Sequence, residues 1–264
     1  MKEKIKSSFD NAAKTYDSVA QVHVLSSAKL VSMLGSFNLR PKTILDIGCG
    51  TGNTSVELKK LYPHAEYTLC DISKNMINQA LLKIPNAKHI VCDAEKHNFG
   101  EHYDLVVSNL AMQWFESIDE FLGNMLKKCR YFAFSTLLDR NFSDYGDLFD
   151  EWSGNYPSLQ KLKNIVEKHG KLLKSSIERY DLLFESQFGA ARYLKTLGAA
   201  PFPTSRNITQ KLNTRRINLN YEVVCIVVRS DRDTSGVVVP RQSKICLAEV
   251  KSSCRLQVRK QHAP

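Results

Sequence analysis

Three glycines, Gly48, Gly50 and Gly52, stand at alternate positions in the stretch TILDIGCGTG at residues 43–52. Glycine crowding of this kind lets a backbone come close to a bound group. In a dinucleotide-binding loop the order is GxGxxG, but here the third place falls on Asn53. A phosphate-binding loop needs a lysine after its last glycine, and none follows here. The pattern therefore favours a ligand other than a pyrophosphate.

Acidic residues accompany three consecutive predicted strands. Asp46 lies just before the glycines, Asp71 closes the second strand, and Asp93 follows the third. The carboxyl ends of such strands meet at the ligand-binding edge of an open α/β sheet. A carboxylate at Asp71 can accept both hydroxyls of a ribose, and Asp93, with Ala94, can face an adenine amine. Asp46 can fix the glycine loop or reach an ammonium group. Together these residues predict S-adenosylmethionine, a nucleoside with an amino-acid end, as the ligand.

The elements that must position these residues alternate between strand and helix. Short apolar runs predict seven strands, at 43–47, 65–70, 88–92, 103–109, 130–137, 177–184 and 218–228. Helical spacing or capping signals predict helices at 4–34, 53–62, 73–83, 119–129, 159–173 and 188–197. This alternation predicts an α/β, Rossmann-like fold with a doubly wound, mostly parallel seven-stranded sheet.

Composition narrows the class of protein. The 264 residues suit one α/β domain with additions, and a hydrophobic fraction of 43% is ordinary for a buried core. Residues 203–264 hold 12 of the 37 Lys and Arg residues but only 4 of the 27 Asp and Glu residues, so the basicity does not indicate a nucleic-acid surface on the rest of the chain. The seven cysteines form no CxxC pair. With no signal sequence or membrane span, we expect a cytoplasmic monomer without disulfides or bound metal.

Several motifs carry a family resemblance. ILDIGCGTG, the two acids Asp71 and Asp93, and YDLVVSNLAMQW resemble class I S-adenosylmethionine-dependent methyltransferases. SSFDNAAKTYDSVAQVH at 7–23 and SNLAMQWF at 108–115 resemble the malonyl-acyl-carrier protein O-methyltransferases of biotin synthesis, over roughly residues 4–228. The resemblance implies that S-adenosylmethionine methylates the free carboxylate of malonyl on acyl-carrier protein, leaving S-adenosylhomocysteine.

Such a reaction needs positioning more than proton transfer. A carboxylate is already ionised at neutral pH, so no general base is required, and we expect a closed, partly aromatic pocket that excludes water. Tyr16 could close over the carboxylate end of the cofactor, with Gln21 at the same site. Gln113 and Trp114 follow the fourth strand, where the methyl group should point. The other expected cofactor contacts are Cys49, Ile72 and Asn109.

A carboxylate substrate should also meet a cation. Arg192 is the first choice, because its predicted helix belongs to the substrate cover, and Arg206 and Arg216 are weaker ones. Acyl-carrier proteins are acidic, and the basic segment at 159–174 could dock one by charge complementarity. Its lysines are Lys161, Lys163, Lys168, Lys171 and Lys174.

The domain organisation follows from the same patterns. We expect a methyltransferase domain at 1–228, with a helical lid at 1–38 and a substrate cover within 138–216. The basic tail at 229–264 does not fit the family and could be disordered or an extension. Two alternatives stay open. One is a different small-molecule methyltransferase, acting on trans-aconitate or a quinone, and the other is a non-catalytic protein that binds RNA or a partner.

Overall fold

A computed structural model describes residues 2–100, 102–142, 156–199, 216–231 and 255–256. Its strands are β1 (Thr43–Ile47), β2 (Glu66–Asp71), β3 (Lys88–Val91), β4 (Tyr103–Asn109), β5 (Cys129–Leu137), β6 (Gly170–Phe184), β7 (Ile217–Ser230) and β8 (Arg255–Leu256). Its α-helices are α1 (Lys2–Ala12), α2 (Tyr16–Val19), α3 (Gln21–Gly35), α4 (Asn53–Leu61), α5 (Lys74–Lys83), α6 (Ile118–Met125), α7 (Leu159–His169) and α8 (Gln187–Thr196).

All the strands form one sheet in the order β3-β2-β1-β4-β5-β7-β6-β8. Strands β1 to β5 pair in parallel, whereas β7 runs antiparallel to both of its neighbours. The predicted mostly parallel, doubly wound sheet is therefore confirmed. The structure adds β8, which the sequence did not predict: it pairs two residues with the outer edge of β6.

The sheet is buried on both faces, which explains the continuous apolar runs of its central strands. Side chains alternate between the faces along each strand. Thus Ile44 joins one hydrophobic cluster, with Leu34 and Leu58, while Leu45 joins the other, with Phe132. Helices α3, α4 and α5 cover the first face, and α6 and α7 cover the second. This arrangement leaves the carboxyl ends of β1 to β4 free to form a site.

Three predicted helices have clearly different bounds in the structure. The helix predicted at 119–129 ends at Met125, and Cys129 begins β5. The helix predicted at 4–34 is broken into α1, α2 and α3, with a turn at 13–15 and a second break at Ala20. The helix predicted at 159–173 ends at His169, because Gly170 begins β6 and pairs with Ser230 of β7. A Cβ on Gly170 would lie 2.7 Å from the carbonyl oxygen of Arg229, so glycine permits this close strand contact.

The glycine loop after β1 adopts a backbone that favours glycine. Gly48, Gly50 and Gly52 all have positive φ angles, of 64°, 53° and 83°. A Cβ on Gly48 would lie 2.3 Å from the Cβ of Ala111, so the loop is packed against the chain that follows β4. Gly52 caps α4. The loop therefore joins the ends of β1 and β4.

Asp46 lies beneath this loop and is 1% exposed. Its Oδ2 accepts a hydrogen bond of 2.6 Å from the Ser55 hydroxyl in the first turn of α4, and its Oδ1 has no hydrogen-bond partner. Burial raises the pKa of Asp46 to about 7. Of the two roles expected for this carboxylate, its position under the loop fits the fixing of the loop.

Two further observations concern membrane-spanning helices and cysteines. No helix in the described ranges combines the length and apolar character that crossing a membrane requires. Five cysteines fall in these ranges and are free thiols: Cys49, Cys70, Cys92, Cys129 and Cys225.

We expect Asp46→Asn to become more stable relative to the parent chain as the pH rises from 5 to 8. The folded pKa of about 7 lies above the unfolded value of ~3.9, so the folded parent holds a proton that the unfolded chain has released. Rising pH therefore destabilises the parent, while asparagine has no proton to lose. Urea unfolding should show the stability difference growing by up to ~3 kcal/mol. The exposed Asp139→Asn is the matched control, and an equally flat profile for both variants would contradict the assignment.

Removal of residues 235–264 should leave the fold intact. The two hydrophobic clusters end at Val227 and at Val228 in the described part of the chain, and β8 contributes only two paired residues. Circular dichroism during heating should place Tm within ~4 °C of the full chain, since 1 kcal/mol corresponds to about 2–4 °C at this size. Truncation from residue 223, which removes half of β7, should abolish folding. Insoluble protein from the shorter truncation would overturn this expectation.

Candidate active site

A cavity opens at the carboxyl ends of β1, β2, β3 and β4. Its floor comes from residues that end these strands or come shortly after them: Gly48, Gly50, Asp71, Ile72, Asp93, Ala94, Asn109, Leu110 and Ala111. Its cover comes from the N-terminal helices through Lys2, Ile5, Phe9 and Tyr16. The order of strand ends thus brings together the acids and glycines that the sequence placed far apart.

Asp71 connects the floor of this cavity to two helices. One carboxylate oxygen accepts the N–H of Gly50 at 2.9 Å and the other accepts the N–H of Ser73 at 2.8 Å. Burial, with Asp10 nearby, raises the pKa of Asp71 to about 6 despite these bonds. A carboxylate has about four lone-pair sites, so both oxygens can still accept ribose hydroxyls.

Asp93 lies at the end of the cavity nearest to the start of the chain. Lys2 Nζ is 3.4 Å from Asp93 Oδ1 and 2.5 Å from Glu95 Oε2. The same ammonium group is 5.0 Å from the ring centroid of Phe115. Asp93 and Ala94 both line the cavity, as the adenine assignment requires. The first turn of α1 is therefore held over this end by ion pairs.

The N-terminal helices are also tied down by two acids on their outer faces. Asp10 of α1 accepts the Ser73 hydroxyl at 2.6 Å, which joins α1 to the start of α5. Asp17 of α2 accepts the Thr51 hydroxyl at 2.5 Å, and it pairs with Lys83 at 2.6 Å. The helices therefore form a lid whose contacts reach the same loops as the cavity floor.

A helical lid was expected at 1–38, but only one of its cavity-lining residues was predicted. Tyr16 was expected at the site, but Lys2, Ile5 and Phe9 were not. The spacing of Ile5, Phe9 and Tyr16 indicated one apolar helical face, which was a usable signal. Tyr16 is buried, and burial keeps its phenol neutral by raising its pKa above the usual range.

The segment after β4 is held by a small polar network. Asn109 Oδ1 accepts hydrogen bonds from Ser26 at 2.8 Å and from Ser135 at 2.7 Å, and its Nδ2 donates to the carbonyl of His23 at 3.0 Å. Leu110 then has a φ of 48°, an uncommon backbone for a residue with a large side chain. Asn109 lines the cavity, and its amide thereby fixes the chain that carries Leu110 into the wall.

A second, smaller cavity adjoins the first. The two share Phe9, Leu110 and Trp114 as lining residues. The rings of Phe9 and Trp114 meet edge to face, with centroids 5.7 Å apart. The remaining lining is mostly apolar and aromatic: His23, Gln113, Leu137, Phe142, Tyr156, Leu194, Leu197, Ala199 and Tyr221. Lid and sheet therefore meet at one wall between two cavities.

Some expected site residues lie elsewhere. Gln21 is exposed and donates to the carbonyl of Ser18, because the break at Ala20 turns it away from the face that carries Tyr16. Cys49 is buried but outside the cavity lining. Asp46, beneath the loop, and Gly52, at its end, are also buried and outside the lining.

The cations expected at the substrate are not brought to either cavity. Arg192 is exposed on α8 and lines neither of them. Arg216 is exposed and pairs with Glu185 at 2.9 Å. Arg206 lies outside the described residues.

The residues of the first cavity fit S-adenosylmethionine. A Cβ on Gly50 would meet no atom within 4 Å, so the loop backbone borders open space there. The buried carboxylate of Asp71 and the partly buried one of Asp93 suit a ligand that carries hydroxyls, an amine and positive charge. The described residues contain no cluster of His, Cys, Asp and Glu that could hold a metal ion. These features match an organic, cationic nucleoside.

Comparisons with known proteins agree with this geometry. The family model of the methyltransferase domain matches residues 44–130. The chain is 30% identical to malonyl-acyl-carrier protein O-methyltransferase 2 of Ilyobacter polytropus, over 75% of this chain and 81% of that protein. It is 32% identical to the malonyl-acyl-carrier protein O-methyltransferase of Acetivibrio thermocellus, over 70% and 68%.

A solved structure supports the fold. The magnesium protoporphyrin IX methyltransferase of Synechocystis, with bound S-adenosylhomocysteine, matches with a TM-score of 0.52. It is 15% identical, over 79% of this chain and 83% of that chain. At this identity the likeness concerns the sheet and its helices. The sequence relatives are similar enough to show the family: the chain belongs to the malonyl-acyl-carrier protein O-methyltransferases.

Proposed function

We propose that this chain methylates the free carboxylate of malonyl on acyl-carrier protein, with S-adenosylmethionine as the methyl donor. One observation carries the proposal: a cavity suited to the donor shares the wall of Phe9, Leu110 and Trp114 with a second, mostly apolar cavity. The family of the chain supplies the acceptor. The ester would mask a charge and so allow the malonyl group to enter fatty-acid-type elongation, as the resemblance to biotin-synthesis enzymes implies.

The residues of the site match the needs of carboxylate methylation. S-adenosylmethionine supplies a methyl group that is already activated on a sulfonium. The acceptor carboxylate is ionised at neutral pH, so the protein does not have to remove a proton. Instead, the lid excludes water, and Phe9 and Trp114 limit the volume in which the acceptor can lie. Tyr16 acts as an uncharged wall rather than as a base.

In this proposal, most of the binding residues contact only one of the two ligands, and Trp114 contacts both. Asp71 and the loop at 48–52 bind the ribose and amino-acid end of the donor, while Asp93 and Ala94 face its adenine. Trp114 contacts both ligands, because it lines both cavities, whereas Gln113 contacts the acceptor alone. The chemistry then depends on how closely the shared wall brings the ligands together.

The lysines of the basic segment are divided between two elements. Lys161, Lys163 and Lys168 lie on α7, whereas Lys171 and Lys174 lie on β6. Lys168 pairs with Asp119 at 3.0 Å, and Lys174 donates to the Ser36 hydroxyl at 3.0 Å. Lys161 and Lys171 are exposed and make no ion pair within the described part of the chain. These two lysines are therefore the best placed for long-range attraction of an acidic carrier protein.

A methyl-transfer assay with labelled S-adenosylmethionine tests the proposed reaction. Malonyl-acyl-carrier protein, malonyl-coenzyme A and trans-aconitate should be offered in parallel. We expect a base-labile methyl ester to form fastest on the carrier protein. Absence of transfer to all three acceptors, in a preparation that binds S-adenosylhomocysteine by calorimetry, would rule out this acceptor class.

Charge reversal tests the docking of the carrier. Lys161→Glu together with Lys171→Glu should raise KM for malonyl-acyl-carrier protein by about 5–20-fold at low salt, because complementary charge accelerates encounter. The KM for malonyl-coenzyme A should change little. Lys42→Glu with Lys59→Glu is the matched control, since both lysines are exposed and Lys42 lies at the opposite end of β1. Equal effects of the two double variants, or a KM that does not depend on salt, would contradict docking at this surface.

A further inference from the structure

The second cavity contains buried polar atoms that lack partners. Within the described part of the chain, His23 Nδ1, Gln113 Oε1 and Tyr221 Oη are inaccessible to solvent and have no hydrogen-bond partner of good geometry. All three residues line this cavity. A buried polar atom without a partner is costly, so native proteins seldom keep one without a purpose. Several such atoms at one cavity indicate a place where a polar ligand binds.

His23 is held firmly in this position. Its carbonyl accepts the amide of Asn109 at 3.0 Å, within the network that fixes the end of β4. Its ring meets the ring of Tyr16 nearly edge to face, with centroids 5.6 Å apart. Because Tyr16 lines the first cavity and His23 lines the second, the two rings connect the sites. The imidazole is thus placed beside the point where the ligands must meet.

An acid that enters this cavity does not find a formal positive charge. None of the lining residues in the described chain is a lysine or arginine. Burial lowers the pKa of His23 to about 4, so its imidazole is neutral and has one N–H donor. Gln113 already donates its amide nitrogen to the Leu110 carbonyl at 2.6 Å, which leaves its oxygen as the unpaired atom. Gln113 Oε1 can only accept, and the hydroxyl of Tyr221 lies close to the hydroxyl of Tyr193. That leaves the imidazole of His23 as the donor for a carboxylate.

We propose that His23 binds the carboxylate of the acceptor by donating from Nδ1, and so makes the enzyme selective for acids. This inference rests on the proposed function. A single neutral donor occupies one carboxylate oxygen and leaves the other available as the nucleophile. A cation would hold the carboxylate more tightly and would also reduce its nucleophilicity. Recognition by His23 therefore replaces the role that sequence reasoning gave to Arg192.

The test measures binding of malonyl-acyl-carrier protein to enzyme that is saturated with S-adenosylhomocysteine, so it does not depend on turnover. His23→Leu should raise this Kd by about 10–100-fold, the usual effect of losing a hydrogen bond to a charged group. His23→Asn should restore part of the affinity, because its amide can supply a donor close to the position of Nδ1. The Kd for S-adenosylhomocysteine alone should stay within about twofold in both variants, as the first cavity does not include His23.

The matched control is His64→Leu, which changes an exposed histidine in the turn before β2. It should leave both dissociation constants unchanged. An unaltered Kd in His23→Leu would overturn the inference, and so would a larger loss in Arg192→Ala than in His23→Leu. Failure of the parent enzyme to bind the malonyl carrier would instead contradict the proposed function. The two failures are therefore distinguishable.

Discussion

The site depends on burial of carboxylates where the parallel strands end. Asp71 accepts the N–H groups of Gly50 and Ser73, and so joins the glycine loop to the start of α5. Asp46 lies below the loop, and Asp10 contacts the start of α5. The charge of Asp10 opposes ionisation of Asp71, and the charge of Asp71 opposes ionisation of Asp46. Crowded negative charge of this kind is relieved by a cationic ligand. The cavity is therefore electrostatically prepared for a sulfonium and an ammonium group.

The lid follows from the same constraint. Asp10 and Asp17 do not face the cavity, yet they bind the loops that form its floor. The helices that cover the first cavity also place Phe9 against Trp114, and these rings form part of the wall that both cavities share. In the proposed function, donor binding, exclusion of water and the shape of the acceptor cavity are thus connected through one set of short contacts. A carboxyl methyltransferase without a general base would depend on such a connection.

The parts of the fold that could be predicted are those that local sequence signals decide. The strands β1 to β5 were predicted to within two residues, because short apolar runs bounded by turns are typical of buried parallel strands. Asp71, Asp93 and Trp114 could be located because strand ends converge. The early start of β6 and the pairing of β8 could not be predicted, since both depend on distant partners. Phe9 and His23 reach the cavities only because the N-terminal segment breaks twice, and no Pro or Gly marks those breaks.

A crystal structure of the enzyme with S-adenosylhomocysteine and malonyl-pantetheine would test most directly where the two ligands bind. We expect the nucleoside in the cavity floored by Asp71 and Asp93. We expect the malonyl carboxylate in the adjoining cavity, between Trp114 and His23. A malonyl group bound at Arg192, or at any other place outside the second cavity, would contradict this assignment.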